Sequence, residues 1–109
     1  MLGAQIVAVL VFEPLPGKAV ALRAVVVRGM RRARLVPGCQ QQSLHEEADG
    51  RLTLIEKWAS REELRDHVEG ELAAELLESY RGLLAAPPVP RLLAPRDAYG
   101  TGQPTVETT

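Results

Sequence analysis

Residues 54–68 read LIEKWASREELRDHV, and the two halves of this stretch follow different periods. Leu54, Glu56 and Trp58 alternate with Ile55 and Lys57, which puts the first three on one face of an extended strand and the other two on its back. Ser60 followed by Glu63 is the spacing of a capping box, in which hydroxyl and carboxylate satisfy the orphan amides of a helix start. A strand running straight into a capped helix is expected here. That helix reaches about Glu69, Gly70 interrupts it, and residues 72–84 resume with Leu72, Leu76, Leu77, Tyr80 and Leu84 on one face.

Upstream, residues 39–47 and 51–59 flank Ala48, Asp49 and Gly50, and Asp-Gly between two extended runs signals a hairpin. Gln40, Gln41 and Gln42 place amides on both faces of its first strand, so one face meets water, a polar cavity or a partner chain. Residues 5–12 are rich in Val and Ile with almost no alternation, as in a central strand covered on both faces. Between them, residues 18–36 carry Leu22, Val25, Val26, Ala33 and Val36 at helical steps, and Pro37 and Gly38 stop the helix. The opposite face, with Arg23, Arg28, Arg31, Arg32 and Arg34, reads as a solvated helix face balanced by the acidic second half. Downstream, Pro87, Pro88 and Pro90 forbid further helix, and residues 89–93 form a short strand suited to a sheet edge.

The resulting order of strand, helix, strand, strand, helix pair, strand describes an α+β ferredoxin-like βαββαβ sandwich over residues 1–95. Residues 96–109, dominated by Gly, Thr, Pro and Gln, read as a flexible tail. The helices cover one sheet face only. The other carries apolar positions from the first and third strands, which a second copy of the chain would cover, giving a symmetric homodimer.

Composition narrows the function classes. With 109 residues, 46% hydrophobic and 25% charged, the chain suits one globular domain, and its net charge of −1 gives no field for nucleic acid or an anionic membrane. Residues 1–11 are apolar but lack a basic leader and meet Glu13, Pro14 and Pro16 too soon to span a bilayer. The single cysteine, Cys39, excludes an internal disulfide and fits a reducing, cytoplasmic setting. No Gly-rich phosphate loop, HExxH motif, paired metal-ligand spacing or nucleophile elbow is present. Aromatics make up only 4%, so Phe12, Trp58, Tyr80 and Tyr99 can be placed individually.

Pro16-Gly17 before the first helix, Pro37-Gly38-Cys39 opening the second strand, and IEKWASREELRDHV over residues 55–68 together resemble the antibiotic biosynthesis monooxygenase family, across roughly residues 6–95. The resemblance implies a dimeric α+β barrel with a ligand pocket between sheet and helices in each subunit. It also implies chemistry without metal or prosthetic group: some members oxidise phenolic or anthrone-type polyketides with molecular oxygen, while others act on quinols, open haem, or isomerise small breakdown products. The leading expectation is a cofactor-independent monooxygenase acting on a phenolic, quinol or polyketide-type aromatic. The alternative is a non-catalytic dimeric module that binds such a molecule.

Such oxygenation needs a proton acceptor and a donor to the developing oxyanion. His67 matches the family's histidine after the capped helix and is the expected base; it also reads as a partly exposed helix histidine beside Glu63 and Asp66. Trp58 matches the family's active-site tryptophan, where its indole N–H would donate to the oxyanion while its ring walls the pocket or simply packs the core. Leu54, Glu56 and Tyr80 are expected around the substrate, and His45 at the pocket mouth or on the surface. Glu56 on an apolar face calls for an Arg partner or a raised pKa. The departures are specific. Leu54 stands where polyketide-oxidising members carry asparagine, a residue this chain lacks altogether, and Leu72 falls near a second histidine of quinol-oxidising members. Haem-degrading members carry an asparagine on the first strand, where Gln5 is the nearest polar residue.

Overall fold

In a computed structural model that describes residues 4–97, seven elements follow one another: β1 (Ile6–Phe12), α1 (Ala19–Ala33), β2 (Cys39–Glu46), β3 (Leu52–Trp58), α2 (Arg61–Val68), α3 (Glu71–Ser79) and β4 (Arg91–Leu93). The strands pair antiparallel in the order β2-β3-β1-β4, the ferredoxin-like arrangement. Of the tail expected over residues 96–109, residues 98–109 lie outside the described range, as does Tyr99.

The period-two reading of β3 holds along its whole length. Leu52, Leu54, Glu56 and Trp58 are all buried, whereas Thr53, Ile55 and Lys57 are not. Register carries the pattern into β1, where Ile6, Ala8, Leu10 and Phe12 stand opposite Trp58, Glu56, Leu54 and Leu52. This inner row meets Leu22, Val26 and Met30 of α1 and Leu64 of α2 to form the core. The core has two parts: Phe12, Leu22, Val26, Met30, Leu52, Leu54 and Tyr80 make the larger cluster, and Ile6, Ala8, Trp58 and Leu64 the smaller, with Leu10 packed against both.

β1 is central, but within a single chain only its inner face is covered: Val7 and Val9 are half-buried and Val11 is exposed. The hairpin between β2 and β3 closes as Asp-Gly foretells. The Gly50 N–H donates to the Glu47 carbonyl at 2.9 Å, and Gly50 takes a φ of 90°, the left-handed conformation that ends such three-residue loops.

Three boundaries differ from the sequence reading, each for a local reason. α1 ends at Ala33 rather than Val36, because the residue before a proline avoids helical geometry; the chain unwinds through tighter bonds from Leu35 N to Arg32 O and from Val36 N to Ala33 O. α3 ends at Ser79 rather than Leu84. Residues 80–85 instead turn back and pair with the loop after β1, through Leu15 N to Leu83 O and Ala85 N to Glu13 O. β4 begins at Arg91 rather than Val89, since Pro88 and Pro90 have no N–H to give a ladder.

The arginine face of α1 serves the fold. Arg23 reaches Glu46 of β2 at 2.9 Å and Arg32 reaches Glu75 of α3 at 2.8 Å. All four side chains are well exposed, so each pair contributes a fraction of about 1 kcal/mol. The glutamine triplet divides: Gln40 accepts from Gln5, Gln42 accepts from Arg34, and Gln41 stands against Lys57 on the outer face. None of the helices among the described residues is long and apolar enough to cross a membrane.

Candidate ligand site

A cavity of about 200 Å³ lies between the inner sheet face and the three helices. Small residues make the room. Ala8 stands directly across from Glu56, and Gly29, Ala33 and Ala73 leave gaps on the helix side, while Pro88 and Pro90 close one flank. Leu54 and Glu56 belong to its sheet wall, His67 and Val68 to the α2 wall, and Leu76 and Tyr80 to the α3 wall. Four of the six expected site residues, Leu54, Glu56, His67 and Tyr80, therefore meet around one space. Gly29, Met30 and the proline strap were not singled out from sequence, though a glycine inside an amphipathic helix and three prolines after α3 were the available signals.

Glu56 is the main polar feature of the sheet wall. It is only 7% exposed, and its Oε1 accepts a hydrogen bond from the Trp58 indole Nε1 at 3.1 Å. The Arg partner expected for it is not there: among the described residues, none of the ion pairs involves Glu56. The pairing with Trp58 follows from the strand, whose residues two apart lie side by side on one face.

Of the two places expected for Trp58, pocket wall or core, it takes the core. It is 0% exposed, it packs with Ile6, Ala8 and Leu64, and it does not reach the cavity surface. Indole has one donor, and Glu56 holds it. In this arrangement the indole N–H is directed at Glu56 and not at the cavity. Trp58 orients Glu56 and supports His67, whose ring lies on the indole at 4.9 Å between centroids and 25° between planes.

His67 faces the cavity from the last turn of α2. Burial pushes its pKa below the ordinary 6.5, and the charge of Glu56 pulls the other way to a lesser extent. The imidazole is thus neutral at pH 7 and can accept a proton. Tyr80 sits edge-on to Phe12, with centroids 5.3 Å apart. Burial, with the nearby Glu56 charge adding to it, raises its hydroxyl to about 12, so Tyr80 stays a neutral donor.

Besides Trp58, one expected residue, His45, does not line this cavity, and neither does Cys39. His45 lies on the outer sheet face, paired with Thr53, and its Nε2 is 3.2 Å from Ser43 Oγ. Of the two places expected for it, pocket mouth or surface, it takes the surface; an irregularity between Cys39 and Gln41 shifts the register and puts it on the opposite side from Cys39. Cys39 turns inward against the cluster around Trp58. Burial, then the charge of Glu56, raises its thiol pKa above the ordinary 9.0 against a smaller lowering from Arg34, which favours the protonated thiol. Among the described residues no group of three His, Cys, Asp or Glu side chains is placed to hold a metal ion.

Fold and cavity together define a ferredoxin-like domain whose helix-covered sheet face holds a cavity with a carboxylate and an imidazole set in a mostly hydrocarbon wall. The chain belongs to the antibiotic biosynthesis monooxygenase family, whose sequence profile matches residues 5–81. Among solved structures it is similar to the Rv0793 protein of Mycobacterium tuberculosis, with 30% identity, 89% of this chain and 100% of that one covered, and a TM-score of 0.78. A Nitrosomonas europaea protein provisionally described as an antibiotic biosynthesis monooxygenase shares the fold at 17% identity, covering 92% of this chain and 98% of its own, with a TM-score of 0.79. PA3566 of Pseudomonas aeruginosa does so at 20% identity, covering 89% and 99%, with a TM-score of 0.78. No curated protein matches the chain.

Proposed function

We propose that the chain is a cofactor-independent monooxygenase that oxidises a small phenolic or quinol-type aromatic with molecular oxygen, working as a homodimer. The observation that carries this reading is the position of His67 on the wall of an apolar cavity, in a chain of the antibiotic biosynthesis monooxygenase family. An apolar cavity of roughly 150 Å³ is enough to hold benzene. The 200 Å³ here suits one substituted ring or a compact bicycle, and a three-ring anthrone needs the helices or the proline strap to give way.

His67 takes a proton from the bound hydroxyl, and the electron-rich anion that results passes an electron to oxygen. Recombination forms a carbon–oxygen bond, and collapse releases water. For a hydroquinone, one quinol and one dioxygen give one hydroxyquinone and one water, so the substrate supplies every electron. Oxygen-uptake assays over a panel of hydroquinones and anthrones test the proposal. Uptake with one-ring and two-ring quinols that falls at least tenfold in His67→Ala supports it, and uptake unchanged in that variant removes His67 from the mechanism.

The alternative, a binding module without turnover, is favoured by one feature: Leu54 gives the cavity no amide, and the only indole N–H in the chain is taken by Glu56. Ligand affinity with no oxygen-dependent product would establish it.

A further inference from the structure

We infer that Glu56 sets ligand choice: its carboxylate is the acceptor that anchors one ligand hydroxyl, a second hydroxyl being left to His67, so the site takes neutral hydroxylated one-ring or two-ring aromatics and rejects the same rings bearing a carboxylate. The inference rests on the cavity being the ligand site, as proposed above, and it concerns selection rather than turnover.

The position of Glu56 is fixed on every side. It stands in the inner row of β3 between Leu54 and Trp58, with Ala8 across from it on β1 and Gln42 across from it on β2. A glutamate placed there cannot swing to solvent, because its own strand points it into the layer between sheet and helices. Trp58 anchors Oε1 at 3.1 Å. A carboxylate offers about four acceptor positions on two oxygens, and the indole fills one.

A carboxylate buried in hydrocarbon is costly unless its remaining acceptor capacity is met. The basic side chains near the site are engaged elsewhere: Arg34 donates to Gln42, and Arg32 to Glu75. The buried Gln42 Nε2 across the strand pair has no hydrogen-bond partner, and a ligand hydroxyl laid against Glu56 would donate to its carboxylate beside the indole. A ligand carboxylate sets two anions together where water is excluded, and a ligand with no donor leaves the acceptor unmet. Trp58 acts here as a positioning residue, touching the carboxylate and not the ligand.

Equilibrium binding of 2-naphthol, 2-methoxynaphthalene and 2-naphthoate to the full chain, without oxygen so that turnover plays no part, tests the inference. The expected order is naphthol about tenfold to a hundredfold tighter than the methoxy compound, and naphthoate about a hundredfold or more weaker than naphthol. Glu56→Gln keeps an acceptor for the indole and nearly the same volume while removing the charge, and it should narrow the naphthol-to-naphthoate ratio at least tenfold. Equal binding of all three compounds to the wild-type chain overturns the inference and leaves the cavity as the ligand site. An unchanged ratio in a folded Glu56→Gln variant overturns it as well. Should that variant fail to fold, the wild-type order decides alone. If none of the three binds, the inference falls together with the ligand-site reading.

Discussion

His67 lies flat on an indole that is itself locked by a carboxylate, so three side chains spaced along residues 56–67 act as one unit. The sequence showed that Glu56 and Trp58 share a strand face, and from that their hydrogen bond was within reach. A buried carboxylate suggests an arginine partner, but a donor two residues along the same strand suffices here. The unit has a pH signature. Burial holds the His67 pKa below 6.5 in the folded chain, so the unfolded chain binds its proton more readily than the native one. Stability therefore rises with pH across the window between the native value and 6.5 and gains nothing further above it. The rate of oxygen uptake should follow the same sense, level near neutrality and falling as pH drops through a value under 6.5. In His67→Gln the acid limb should vanish from both the rate profile and the denaturation midpoint. An acid limb that persists in that variant would assign it to another group.

At the level of elements, periodicity was a good guide where burial alternates cleanly and a poor one where the backbone slips. β3 was legible from end to end for that reason, and the start of α2 nearly so. Ser60 does accept from the Glu63 N–H at 3.1 Å, but the Glu63 carboxylate takes the Ser60 hydroxyl at 3.2 Å instead of reaching an orphan amide. In β2 the irregularity after Cys39 reversed the faces, which no residue type announced, and His45 went outside with them. The cavity was hidden for a related reason: its space comes from Ala8 on β1, Gly29 and Ala33 on α1 and Ala73 on α3, three separate segments, and absence of side chain has no period. Gly29 shows what that space is for. A Cβ there would come within 2.8 Å of Leu76 Cδ2, the free end of a flexible side chain on the cavity wall. Gly29→Ala gains about 1 kcal/mol in helix propensity and loses part of it in moving Leu76. Stability should change by less than about 1 kcal/mol in denaturant titration, while affinity for a two-ring ligand falls severalfold as Leu76 is pushed into the space. A matching loss of stability and binding would mean that Gly29 serves packing only.

Considered whole, the domain has one face still open. Val11 is 44% exposed, Ile55 36% and Leu93 43%, all on the sheet face away from the helices, with Val7 and Val9 half-buried beside them. An apolar sheet face of this kind is what a second copy would cover about a two-fold axis, each chain presenting the same patch. Ile55 lies at its middle, paired with Val9 on one side and Ser43 on the other. Ile55→Glu puts a charge where a partner would bury it, yet at a surface position of the isolated chain it should cost no more than about 0.5 kcal/mol. Sedimentation equilibrium should give twice the chain mass for the wild-type protein and a single, folded chain for the variant; a wild-type monomer would remove the dimer from the proposal. Ligand affinity of that monomer carries a second reading. The cavity walls come from one chain, but Leu54 and Glu56 flank Ile55 on the same strand. Affinity held within about threefold, a difference of less than 1 kcal/mol, would make each cavity self-sufficient. A larger loss would show that the partner sheet stiffens β3 and so keeps Glu56 aimed at the ligand.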